Sequence, residues 1–214
     1  MAICVSTAIC AAVSAQYSIR TGESHIFSRE SIASGVFRER AFKALMVRDE
    51  AERYDELLNM GKMKPDCDIS IEDGLRYVTR FGIPFEERWP LGTNRPEGDL
   101  QAYKVADYSQ IGAKDRVTIK HMLRHFPLIC DMIVGPAFDN YSTGIYKKEL
   151  TRRGKIRHAM VLVGWGVTED GQTEYWILMN SWGDNWGQQG FAYVDINSLS
   201  SVFYPIIIPP ELAR

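Results

Sequence analysis

The sequence predicts an α+β fold, helical in its first half and β-rich in its second. Three observations predict it. Before Gln101 apolar residues recur at helical spacing behind capping residues such as Ser28 and Ser70. After Gln101 they alternate with period two through Val161, Val163 and Trp165, and an Asp170-Gly171 pair marks a hairpin turn. The third is bulk: 214 residues, 45% of them hydrophobic, suffice for one sizeable core or two small domains sharing a cleft. The expected division is 1–101, mainly helical, and 102–214, mainly β.

Charge and cysteine content narrow the function. Lys+Arg is 25 against Asp+Glu 27, with no long run of one sign, so nothing favours nucleic acid or an anionic membrane as partner. No apolar run approaches the roughly 20 residues that span a bilayer. Cys4, Cys10, Cys67 and Cys130 are too few and scattered to read as a disulfide framework, and no Cys-x-x-Cys suggests a metal site.

The first sixteen residues, MAICVSTAICAAVSAQ, admit two readings. As a signal peptide they offer an apolar stretch and a small-residue end at Val13-Ser14-Ala15, but lack a basic start. As a helix they run on through Tyr17 and Ile19 to a Thr21-Gly22 stop. Ser28 opens a second helix expected to reach about Gly35, and Arg38 to Met60 carries the spacing of an amphipathic surface helix. Lys64 to Cys67 is a turn. Ser70 and Asp73 form a capping box for a helix through Arg80, closed at Gly82.

Ile83 to Gly98 is a loop, and Ala102 to Tyr108 an extended crossover. Asp115 to His125 is a helix on which His121 and His125 stand four apart; with no third ligand in view, they read as solvated histidines rather than a metal pair. Pro127 to Val134 is a buried strand that takes Cys130 into the core, and Asp139 to Tyr146 is a loop. From His158 onward a strand, the turn, a second strand at Glu174 to Met179 and a third from Phe191 to Val194 follow. That hairpin can bring His158 to Asn180, and an imidazole held by a carboxamide is a poised base.

The last block carries a specific pattern. His158-Ala159, Gly164-Trp165-Gly166, Tyr175-Trp176, Asn180-Ser181-Trp182-Gly183, Trp186-Gly187 and Gly190-Phe191 resemble, in register, the histidine–asparagine half of the papain-like cysteine peptidases. The resemblance implies a two-lobe fold, a helical left lobe with a central helix and a β-rich right lobe with a cleft between them. Counting back from Thr21-Gly22 and Ser28-Arg29-Glu30 places Cys4 at the nucleophile, at the tip of the central helix, and so favours the helix reading of the first sixteen residues. Cys10, six residues further along, falls on another face.

By the resemblance Cys4, His158 and Asn180 are the catalytic residues, Trp182 shields the His–Asn bond, and no cofactor is needed. Ile156, Ala159 and Ser201 would line an apolar subsite, and Asp68 and Ile69 occupy the place of the Gly-Gly that binds extended substrate. The implied partners are a peptide or protein substrate and a proteinaceous inhibitor in the cleft of a monomer. The family's usual compartments are vacuolar, lysosomal or secreted.

Four departures qualify this. The glutamine that donates to the oxyanion six residues before the nucleophile has no counterpart among the 214 residues. The tryptophan after the nucleophile is Val5, and side chains at Asp68-Ile69 would crowd a bound strand. Arg157, next to His158, is expected to disfavour the imidazolium. The expected function is a cysteine endopeptidase. The alternative is a catalytically impaired papain fold that binds peptide or protein.

Overall fold

A computed structural model describes residues 3–45, 69–148 and 156–208. The turn expected at 64–67, the end of the charged helix and Asp68 lie outside the described residues. Helix α1 spans Cys4–Thr21, α2 Arg29–Leu45 and α3 Ile71–Phe81. Strand β1 (Val105–Ile111), helix α4 (Arg116–Leu123), strand β2 (Leu128–Val134), helix α5 (Pro136–Asp139) and strand β3 (Ile145–Tyr146) follow. Then come β4 (Ile156–Val167), β5 (Glu174–Met179), β6 (Phe191–Asp195) and β7 (Leu199–Ile207).

Local chemistry explains most of these bounds. Ile3 gives α1 no side-chain cap, and Gly22 ends it in the left-handed conformation. The Ser28 hydroxyl accepts from the Ser31 N–H at 3.1 Å and so caps α2. Ser70 and Asp73 form the expected capping box of α3, and Asp115 caps α4 by accepting from Thr118.

Three expectations need correction. Helix α2 does not stop at Gly35. A Cβ there would sit 2.1 Å from the Tyr77 ring, so glycine serves the close approach of α3 rather than a break. Strand β7 lies beyond the last strand expected and is an interior strand of the sheet. Pro205 within it is an ordinary strand-breaking signal, yet its carbonyl takes a 2.8 Å hydrogen bond from Gln16 of α1. The extended segment around Ala102 also begins three residues later, as β1.

The strands make one sheet in the order β1-β7-β2-β4-β5-β6-β3, antiparallel except for β3 against β6. Alternation sends odd residues of β4 to one face and even residues to the other. Ala159 and Val161 join Ile9, Val13, Ile32, Leu75 and Phe203 in a core built on α1, α2 and α3. Met160 and Leu162 join Cys130, Phe138, Trp176 and Val194 in a second core across the sheet. Helix α1 thus lies against β4, its tip near the start of the strand that carries His158.

Candidate active site

Cys4 is the first residue of α1 and half-buried. With no capping side chain from Ile3, the first-turn N–H groups favour negative charge at a sulfur placed there. Cys4 lines a crevice of about 20 Å³ with Thr7, Ala8 and Ala11 of α1 and with Ala159, Asn180 and Ser181 across from them. The helix tip therefore meets the end of β5 and the start of β4.

His158, next to Ala159 near the start of β4, is only 3% exposed. Its Nε2 is 2.8 Å from Asn180 Oδ1. The Ser181 backbone N–H donates to the same oxygen, also at 2.8 Å, which fixes the orientation of the amide. A carboxamide oxygen can only accept, so the neutral ring carries its proton on Nε2 and leaves Nδ1 as the basic nitrogen. Asn180 Nδ2 is buried without a hydrogen-bond partner among the described residues. A buried unpaired donor costs about 1–3 kcal/mol, a cost that marks Asn180 as serving through its oxygen.

Aromatic rings enclose the pair. Trp182 lies 4.8 Å from the His158 ring at 33°, and Phe138 6.3 Å from it. Trp186 meets Trp182 at 5.1 Å and donates to the carbonyls of Phe138 and Asp139. It thereby ties α5 to the loop after Asn180. Gly187, at φ +60°, would place a Cβ 2.5 Å from the Phe191 carbonyl, which is why glycine follows Trp186.

Burial pulls the His158 pKa below its ordinary value, while the Asn180 bond and the Asp139 charge push the other way. Arg157 is not the cause expected above. Alternation turns its side chain to the other face of β4, where its guanidinium pairs with Asp131.

The remaining predicted residues divide. Ala159 is buried on the crevice wall, and Ile156 is exposed at the start of β4. Ile69 packs at the edge of the helical core, and Asp68 is not described. Ser201 is buried, and its hydroxyl donates to Asp131 Oδ1 at 2.6 Å. Asp131 was missed. The apolar run around it reads as pure core, and only its charge, the single one between Pro127 and Val134, signalled it.

Cys10 and Cys130 are buried, and burial pushes both thiols far up. Residues 4–16 lie within α1, as the helix reading expects. Among the described residues no group of three or more His, Cys, Asp or Glu could hold a metal. A far larger cavity, about 920 Å³, opens elsewhere between α2, α3 and the loop after them. None of the predicted site residues lines it.

Comparison with known proteins decides the family. Residues 55–202 match the model of the papain family cysteine protease. The chain belongs to that family. The matched span holds His158 and Asn180 and leaves Cys4 outside. A cathepsin L-like proteinase of Fasciola hepatica is 30% identical over 126 residues, which is 56% of this chain and 38% of that protein. The cysteine proteinase COT44 of Brassica napus is 29% identical over 185 residues, 74% of this chain and 55% of that protein. The chain thus spans between about a third and about half of the length of these relatives. In structure it is similar to the bromelain protease of Ananas comosus in complex with the E64 inhibitor. That match has a TM-score of 0.69 at 15% identity and covers 96% of this chain and 89% of that one. The likeness extends the papain fold over α1, where the sequence match does not reach.

Proposed function

We propose that this chain is a cysteine-type peptidase that hydrolyses peptide bonds with Cys4 as nucleophile, His158 as acid and base, and Asn180 as the residue that positions the ring. The reading rests above all on one observation: Cys4 and Asn180 line the same crevice, and Asn180 holds His158 at 2.8 Å. Nδ1 of His158 takes the Cys4 thiol proton. The thiolate attacks the peptide carbonyl, and a C–S bond forms. As the tetrahedral intermediate collapses the C–N bond breaks, and the imidazolium gives its proton to the leaving amine. Water then attacks the thioester while His158 accepts its proton, and the C–S bond breaks to release the acid and the thiol. The Asn180 bond and Asp139 stabilise the imidazolium in each half of the cycle, and Trp182 keeps water from the bond that orients it. Ala159, Ile156 and Ile69 border the peptide path.

Alkylation tests this without a known substrate. Iodoacetamide at about pH 6 scarcely touches an ordinary thiol, which is almost wholly protonated there. Rapid modification mapped to Cys4, abolished in His158→Ala, is the expected result. Modification no faster than free cysteine would sink the peptidase reading and leave the peptide-binding papain fold.

A further inference from the structure

The face of β4 that borders Cys4 also carries a charge relay with no part in the chemistry above. Asp131 of β2 pairs in register with Ala159 on one side and with Ser201 on the other. The Ser201–Asp131–Ala159 row thus ends on a residue of the Cys4 crevice. A register irregularity between Asp131 and Met132 falls at the Ser201 contact, and such bulges re-aim side chains. Asp131 is 5% exposed, with one oxygen taken by the Ser201 hydroxyl and the other by Arg157 Nε. A buried carboxylate so fully engaged has one evident product, a guanidinium fixed in place. The Arg157 side chain is 63% exposed, two residues along the strand from Ala159 and on the same face. Asp131 holds Nε and balances the charge, and the remaining guanidinium N–H groups are donors on a side chain that is mostly exposed.

We propose that Arg157, anchored by Asp131 and Ser201, is a specificity-determining residue that grips a carboxylate of the peptide bound beside Cys4. A planar fork held at one nitrogen suits a carboxylate on its outer edge. The buried acid removes the freedom that an exposed arginine would otherwise lose on binding. The substrate class is therefore acidic peptides, with either a Glu or Asp side chain or a free chain end supplying the charge. The inference rests on the site being a peptide-binding cleft, and its test keeps binding apart from cleavage.

The test uses the full chain with Cys4→Ala and fluorescent peptides of neutral sequence. One set carries Glu or Gln at successive positions with both ends blocked, and a second compares free with amidated C-termini. Fluorescence anisotropy is expected to show about five- to tenfold tighter binding for one acidic placement. Whichever set shows it identifies the carboxylate. Arg157→Gln should erase that ratio, Arg157→Lys should keep part of it, and Ser201→Ala, which leaves both charges, should reduce it. Circular dichroism checks that each variant is folded, and Ser201→Ala carries the test if Arg157→Gln is not. Equal affinity for acidic and amide peptides at every placement would overturn the proposal, as would a preference that survives Arg157→Gln. With Cys4 restored, cleavage of neutral peptides without acidic preference would also overturn it while leaving the peptidase standing. Acidic preference in binding with no cleavage of any peptide would uphold Arg157 and sink the peptidase.

Discussion

The two halves of the candidate site are built in different ways. On the β4–β5 hairpin the side chains around His158 are tied to one another through several contacts. Asn180 Oδ1 takes two donors, Trp182 covers the ring, Trp186 clamps the loop to α5, and Gly187 admits the Phe191 carbonyl. On α1 the cysteine stands at a helix tip that has no side-chain cap from Ile3, above the packing of Val5, Ala8, Ile9 and Ala12. The first arrangement needs particular residues at particular spacings. The second needs small and apolar residues of the right periodicity, which many sequences supply. The family match begins at residue 55 and reaches His158 but not Cys4, whereas the fold match covers 96% of the chain.

The sharpest way to break the comparison is to remove the sulfur. Cys4→Ala should lower peptidase turnover by at least about 10⁴-fold, as loss of a nucleophile does elsewhere. The melting temperature should scarcely move, because Cys4 sits at the edge of its core. Turnover that survives in Cys4→Ala would show the helix tip to be scaffold alone. Asn180→Ala comes next, with an expected loss of about 10²-fold, at the low end of what a positioned acid–base group contributes. The loss should fall on kcat and leave KM largely alone, since Asn180 reaches substrate only through the imidazole. A loss confined to KM would reassign Asn180 to the substrate.

Legibility in the sequence followed the same divide. The capping box at Ser70, the Asp170-Gly171 turn, strand β5 and the buried run around Cys130 could be read directly, because each is fixed by residues adjacent in the chain. Cys4 could be read only through the resemblance. The Gly35 error, the missed β7 and the overlooked Asp131 share a cause. Tyr77 against Gly35, Gln16 on the Pro205 carbonyl, and Arg157 with Ser201 on Asp131 are contacts between distant segments. A glycine, a proline or a lone acid looks like punctuation until its partner is in place.

Trp182→Ala sharpens the hairpin side. The ring covers His158 at 4.8 Å, and such a contact is worth about 0.5–1.5 kcal/mol. If it acts by protecting the His–Asn bond, turnover should drop roughly two- to tenfold. The drop should shrink when Asn180 is already alanine, which a double-mutant cycle reads directly. Additive losses would place Trp182 outside the pair.

The smallest expected effect is on stability, and it isolates His158 from substrate altogether. Burial lowers its pKa in the folded chain, more than the Asn180 bond and Asp139 restore. Below the unfolded value of about 6.5, the unfolded chain therefore binds a proton that the folded chain refuses. Stability should rise with pH through that region, and fall as the medium is acidified until the folded ring is itself protonated. One proton sets a ceiling of about 1.4 kcal/mol per pH unit. Glu86, Asp115, Asp170 and Glu174 are held below their ordinary values, so their own losses begin at lower pH and do not intrude between pH 5 and 7.5. Urea midpoints across that window should fall toward pH 5 in the natural chain and flatten in His158→Gln. Equal slopes in the two would mean that the imidazole is not enclosed as Phe138, Trp182 and Asn180 enclose it here, and the account of a locked hairpin would lose its physical basis.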